Sequence, residues 1–184
     1  MNYAAIKKND IANGPGVRVS LFVSGCRHAC KGCFNREAWS FSYGREFDDA
    51  AQREVIDALG HDYIAGLSLL GGEPFEPENQ YPLVCFLDKV RTVYPKQTVW
   101  CYSGFTFEEL QSGKVGNHAH ELLSFIDVLV DGRFEEDKTD LSLRFRGSDN
   151  QRILDVRRSL TEERAIWLDG VWKRTMGSGS IEED

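Results

Sequence analysis

The sequence predicts an α/β fold, a partial, open (β/α) barrel of about five or six parallel strands. Three observations predict it. Strand-like apolar runs alternate with helix-like amphipathic segments along the chain. The chemically informative loops fall where those strands end, as ligand loops do in parallel α/β proteins. The strands are too few to close an eight-stranded barrel.

The bulk properties narrow the class. A chain of 184 residues, 41% hydrophobic and 11% aromatic, suffices for one domain with a proper core. No apolar run approaches the roughly 18 residues of a membrane span, and the start MNYAAIKKND lacks the apolar core of a signal peptide. The cysteine count is five, odd, with three clustered, which argues against a disulfide framework. The expectation is a cytoplasmic protein that is not membrane-bound. A net charge of −7 argues against nonspecific nucleic-acid binding.

In chain order, residues 1–12 read as a short strand or arm. Asn13-Gly14-Pro15-Gly16 is a turn. Val17, Val19, Leu21 and Val23 alternate with Arg18, Ser20 and Phe22, which is strand periodicity. Residues 35–47 are irregular, with Trp39, Phe41 and Tyr43 as packing aromatics. Asp48 or Asp49 caps a helix to Leu59 whose buried face is Ala51, Val55 and Leu59. Ile64–Leu70 is a buried parallel strand, ending in Gly71-Gly72-Glu73-Pro74. The two glycines there let backbone approach a ligand closely, and Glu73 and nearby carbonyls can accept from an ammonium group. An ordinary strand-to-helix turn is the alternative.

Pro82 to Tyr94 reads as an amphipathic helix with Leu83, Phe86, Leu87 and Val90 inward, Pro82 in its first turn and Pro95 beyond its end. Cys85 on it reads as a small buried hydrophobe. Thr98–Tyr102 is the next strand, with Cys101 in the core or facing a cofactor. Thr106 and Glu109 form a capping box. A helix from about Ala119 to Ser124 follows, and His118 and His120 are surface residues. Ile126–Val130 is a strand that ends at Asp131-Gly132-Arg133-Phe134. A charged loop leads to Arg146-Gly147-Ser148-Asp149-Asn150-Gln151-Arg152, then Ile153, Leu154 and Val156 form a last strand. The domain is expected over 1–156. Residues 157–184 are an extension in which Ile166, Trp167 and Trp172 dock on the domain or a partner, and the GSGSIEED end is flexible.

The chemistry concentrates after the first long strand, at Cys26, Cys30 and Cys33, spaced C-x3-C-x2-C. Thiolates select zinc, copper(I) or iron–sulfur clusters. Structural zinc wants four protein ligands, and a cubane cluster is usually held by four cysteines. Three local cysteines on a [4Fe–4S] cubane leave one iron for a small molecule. The alternatives are a zinc knuckle completed by His28 or a distant cysteine, and unligated thiols. Arg27, His28, Lys31 and Arg36 around the loop are either scattered solvated charge or a docking patch for an acidic electron donor.

The cysteine motif after a first strand resembles that of the radical S-adenosylmethionine (SAM) enzymes. N-G-P-G at 13–16, R-V-S-L-F-V-S-G-C at 18–26, C-x-G-C-F-N at 30–35, G-G-E-P at 71–74, D-G-R-F at 131–134 and R-G-S-x-N-Q-R at 146–152 are similar to the activating-protein family of the anaerobic ribonucleoside-triphosphate reductase. The resemblance covers residues 2–156. Gly32 stands where many radical SAM enzymes carry an aromatic residue, with Phe34 after the third cysteine, as in this family. Asp149 departs from the family's R-G-S-S-N-Q, which weakens any role for that position.

The resemblance implies the same partial open barrel, of radical SAM type. It implies that Cys26, Cys30 and Cys33 hold a [4Fe–4S] cluster. SAM is expected against Gly32, Cys33 and Phe34, the loop Gly71, Gly72, Glu73 and Pro74, Ser103 beside the adenosine, and Asp131 on the ribose or the substrate loop. Arg146 or Arg152 is the candidate for the SAM carboxylate. The implied reaction is reductive cleavage of SAM to a 5′-deoxyadenosyl radical that installs a glycyl radical on the reductase. The implied partners are the glycyl-radical subunit and a reduced flavodoxin or ferredoxin-type electron donor. The rival readings are an activase of another glycyl-radical enzyme, a small-molecule radical SAM synthase and a non-enzymatic zinc-binding interaction module.

Overall fold

The computed structural model describes residues 1–170. The first strand, β1 (Asn2–Asp10), turns through 11–16 into β2 (Val17–Val23). A connection this short allows only antiparallel pairing, and Ile6 lies opposite Leu21. A 3₁₀ turn at Arg36–Trp39 and a two-residue strand β3 (Arg45–Glu46) on the edge of β1 give residues 35–47 more structure than their sequence suggests.

The parallel block follows. Helix α1 (Asp49–Leu59) starts at Asp48, whose carboxylate accepts from the Ala51 N–H at 2.9 Å. Ala51, Val55 and Leu59 are buried as their spacing predicts. Strand β4 (Ile64–Gly71) pairs parallel to β2, then α2 (Pro77–Val93) leads to β5 (Thr98–Tyr102). Two short helices, α3 (Phe107–Gln111) under the Thr106–Glu109 capping box and α4 (Ala119–Ser124), lead to β6 (Val128–Asp131), parallel to β5.

The last strand, β7 (Arg152–Asp155), pairs antiparallel to β6. No α-helix lies between them, and a parallel return needs a crossover. The sheet order is therefore β3-β1-β2-β4-β5-β6-β7, seven strands with β3 and β7 at open edges. This corrects the expectation of five or six parallel strands: four are parallel, and both flanks are antiparallel. The sheet does not close.

Two further expectations are corrected. Helix α2 begins at Pro77, not Pro82, so Pro82 lies inside it. Buried Asn79 and Gln80 anchor the early turn: Asn79 Nδ2 donates to Ser24 O and Glu73 O, both at 3.0 Å, and Gln80 Nε2 to Phe75 O at 2.7 Å. Cys85 is exposed, since Leu83, Phe86, Leu87 and Val90 define the inward stripe and position 85 faces away.

The main core lies between the helices and one face of the sheet. A second cluster of Trp100, Val128, Val130 and Ile153, with Tyr102, Phe145 and Leu168, covers part of the other face. There Arg18 is fully buried. Its guanidinium donates to Ser68 Oγ and Leu67 O, each at 2.7 Å, and to Thr98 O at 2.9 Å, lacing three strands together. Burial pushes its pKa down to about 10.

Packing continues past residue 156. Helix α5 (Val156–Thr161) buries Val156 and Ser159, and Leu168 N–H donates to Ile153 O at 2.9 Å. Ile166 and Trp167 thus dock on the domain, with Trp167 bridging to Leu154. Trp172 and the GSGSIEED stretch lie outside the described residues.

Candidate functional site

The strand ends of β2, β4, β5 and β6 meet at one side of the sheet and surround a cavity of about 390 Å³. Cys26, Cys30 and Cys33 line it together with Gly71, Gly72, Glu73, Ser103 and Gly104. Its size is in the range of ~300–1,000 Å³ common for small-molecule sites.

The cysteine loop and the Gly71–Pro74 loop are joined through backbone. Gly72 N–H donates to Val23 O at 2.7 Å, and Glu73 N–H to Gly25 O at 2.8 Å. Gly71 has φ +109°, and a Cβ at Gly72 would lie 2.5 Å from Gly25 O. Only glycine permits that approach. Ala29, between the first and second ligand candidates, sits at φ +50°, a left-handed conformation that costs about 1 kcal/mol for a non-glycine residue.

Burial, reinforced by the charges of Glu73 and Glu76, pushes the Cys26 thiol up to about 12. Burial also raises Cys30. A bound metal reverses this, because a coordinating thiol is deprotonated outright. Asn35 N–H points at Cys33 Sγ at 3.4 Å, the kind of contact that tunes a cluster's potential.

Thiolates sharing one zinc, each at about 2.3 Å from it, crowd within about 4 Å of one another. Among the described residues no three His, Cys, Asp or Glu side chains converge in that way, although the three thiols line one cavity. A cubane presents its irons at separate corners, so each thiolate can take its own iron. Neither proposed fourth zinc ligand is at hand. Both ring nitrogens of His28 are engaged, Nε2 with Glu73 Oε2 at 3.0 Å and Nδ1 with Arg133 Nε at 3.2 Å. Cys85 is on the outer face of α2, and Cys101 is buried in the main core.

The remaining predicted residues fall into two sets. Phe34 lines the cavity, 78% exposed, with its ring 5.6 Å from that of Phe134. Ser103 lines it too, donating to Glu73 Oε1 at 2.9 Å. Gly32, Pro74 and Asp131 are not among the lining residues. Gly32 packs beside Glu136. Asp131 is fully buried, accepting from Phe107 N–H at 2.7 Å and from Arg152. Arg152 also bonds Glu108 and does not line the cavity, whereas Arg146 does.

Glu73 is 1% exposed. Its carboxylate accepts from Phe75 N–H at 2.9 Å, Ser103 Oγ at 2.9 Å and Gly104 N–H at 2.7 Å, and faces His28. Four contacts fill the acceptor sites of one carboxylate. Two basic residues of the cysteine loop, Arg27 and Lys31, are also paired. Arg27 meets Glu76 and Glu78, and Lys31 meets Glu136 at 2.8 Å. The charge of these two is balanced locally, while Arg36 lies over the Trp39 ring. Sequence reasoning missed Tyr102, Leu143 and Phe145 on the cavity wall. Nothing in their local pattern sets them apart.

Comparison with known proteins follows the same lines. Residues 12–154 match the family model of the 4Fe-4S single cluster domain. The chain is 43% identical over 155 residues to an anaerobic ribonucleoside-triphosphate reductase-activating protein of Pasteurella multocida, covering 83% of this chain and 96% of the relative. It is 37% identical over 173 residues to the protein of that name from Enterobacteria phage T4, covering 94% and 99%. It is 37% identical over 159 residues to that of Escherichia coli K12, covering 85% and 100%. With these identities over nearly the whole length of each relative, this chain belongs to the family of anaerobic ribonucleoside-triphosphate reductase-activating proteins.

Proposed function

We propose that this protein activates an anaerobic ribonucleoside-triphosphate reductase by installing a glycyl radical on its glycyl-radical subunit, with a [4Fe–4S] cluster and SAM as cofactors. The observation that carries this reading is the meeting of Cys26, Cys30 and Cys33 with the Gly71–Gly72 backbone on one cavity. When bound, the cluster and SAM supply a one-electron cleavage that gives a 5′-deoxyadenosyl radical able to take a hydrogen atom from glycine.

The chain's own residues bind, orient and exclude water. Cys26, Cys30 and Cys33 would hold the cluster, with three protein ligands for its four irons. Because the Glu73 carboxylate is already engaged at four points, the SAM ammonium falls to backbone carbonyls of the same loop. Arg146 lines the wall and Arg152 does not, which favours Arg146 for the SAM carboxylate, with its Nη1 already donating to Gln151 O at 2.7 Å. Ser103 and Gly104 border the adenosine side. Asp131 supports the site from behind by holding the start of α3. Gly32 and Pro74 shape their loops. Phe34 and Phe134 flank the cavity, where a glycine-bearing loop of the reductase must reach.

One electron per turnover requires a donor, and a reduced flavodoxin or ferredoxin-type protein fits that need. Five free thiols suit a reducing cytoplasm. Among the described residues no helix is long and apolar enough to cross a membrane. The test is anaerobic mixing of the reduced, reconstituted protein with SAM and the reductase. A glycyl-radical signal on the reductase that requires both SAM and Cys26, Cys30 and Cys33 is the expected result. Cleavage of SAM with no radical transferred to the reductase would favour another substrate.

A further inference from the structure

His28 lies inside the cysteine loop, between Cys26 and Cys30, yet its side chain is only 6% exposed. Its ring is fixed on several sides. A Cβ on Gly104 would come within 2.4 Å of the imidazole, so the ring rests against bare backbone. The Phe105 ring packs edge-on at 4.4 Å between centroids. Arg133, from the loop after β6, reaches Nδ1 with its Nε at 3.2 Å.

The partners assign the ring's proton. A guanidinium only donates, so Nδ1 accepts. The ring N–H is therefore on Nε2 and donates to Glu73 Oε2 at 3.0 Å. That same oxygen accepts from Gly104 N–H, and the other carboxylate oxygen accepts from Ser103 Oγ and Phe75 N–H. One imidazole–carboxylate pair thus joins the loops that follow β2, β4 and β5, and Arg133 adds the loop after β6.

We propose that His28 is a positioning residue that clamps Glu73 and so fixes the cysteine loop against the Gly71–Pro74 loop. Whatever the first loop binds is then held at a set distance from whatever the second binds. The proposal rests on the cluster-and-SAM reading above. His28 is on the cavity wall, but both of its ring nitrogens are turned to protein partners. Its effect passes through Glu73, in the way outer hydrogen bonds orient the groups that meet a metal centre.

Two substitutions separate the two bonds. In His28→Gln an amide N–H can reach the Nε2 position and keep the bond to Glu73. In His28→Asn an amide oxygen can keep the bond from Arg133 but cannot reach Glu73. Both retain all three cysteines. The measurements are iron and sulfide per chain, the electron paramagnetic resonance spectrum of the reduced cluster with and without SAM, and SAM affinity by titration of that spectrum. We expect full clusters in both variants. We expect SAM affinity about ten-fold weaker in His28→Asn, the equivalent of one charge-assisted hydrogen bond, with a diminished spectral response. His28→Gln stays near the wild type. Equal SAM affinity in the wild type and His28→Asn overturns the clamp. So does a loss of cluster, or of SAM affinity, in Gln as large as in Asn. A wild-type cluster with no response to SAM overturns the cofactor reading itself, and the clamp with it.

Discussion

Arg152 closes a two-pronged ion pair on Asp131, Nε to Oδ1 at 2.9 Å and Nη2 to Oδ2 at 2.5 Å, at the pairing of β6 with β7. Asp131 is fully buried, so removing its partner leaves a carboxylate charge that water cannot reach. Arg152→Met should destabilise the fold by about 3 kcal/mol, since breaking a buried pair costs more than the pair is worth. Urea denaturation measures this. A loss below about 1 kcal/mol would mean that the Phe107 N–H alone holds Asp131.

The same arginine sets an acid limit on stability. Its hydrogen bonds to Glu108 hold that carboxyl below its ordinary value of 4.5. A carboxyl with a depressed folded-state pKa stabilises the protein above its unfolded value, and the contribution is lost as pH falls through the folded value. Melting temperature should therefore fall on acidification below about pH 4.5, and Glu108→Gln should flatten that fall. Parallel wild-type and variant profiles would remove Glu108 from the account.

Gly72 is held where backbone meets backbone. Gly72→Ala places a Cβ 2.5 Å from Gly25 O, and neither loop can yield without breaking the Gly72–Val23 and Glu73–Gly25 hydrogen bonds. We expect about 2 kcal/mol of destabilisation and SAM binding weakened more than cluster content. Equilibrium binding and iron analysis on one preparation separate the two. An alanine variant with normal SAM affinity would show that the loops do not act together.

The cysteines should divide by place. Serine at Cys26, Cys30 or Cys33 should abolish stable cluster binding. Cys85→Ser, on the outer face of α2, should leave iron content unchanged. Cys101→Ser puts a hydroxyl into the main core and should cost about 1–2 kcal/mol with the cluster intact. Iron loss on substituting Cys85 would contradict the three-thiolate site.

Much of the architecture was legible where a local signal governs it. The Asp48 cap, the Thr106–Glu109 box and the cysteine loop each depend on neighbours in sequence. Strand direction is set by the length and content of the connections rather than by the strand residues, and the short link after β1 and the helix-free link before β7 went unread as antiparallel. Alternation marked Arg18 and Ser20 as a polar face, but loops and a second layer bury that face as well. The true start of α2 was hidden because its anchors, Asn79 and Gln80, are polar residues buried by long-range bonds. His28 showed only as a possible zinc ligand or as one of the loop's basic residues, because its partner Glu73 is 45 residues away.

The central claim is that three thiolates hold a cluster to which SAM binds and is cleaved. The direct test is to reconstitute the protein anaerobically with iron and sulfide, reduce it, and record its electron paramagnetic resonance spectrum with and without SAM while assaying for 5′-deoxyadenosine. The account predicts a [4Fe–4S]⁺ signal that SAM alters, with 5′-deoxyadenosine formed. Bound zinc, or a cluster indifferent to SAM with no 5′-deoxyadenosine, would contradict it.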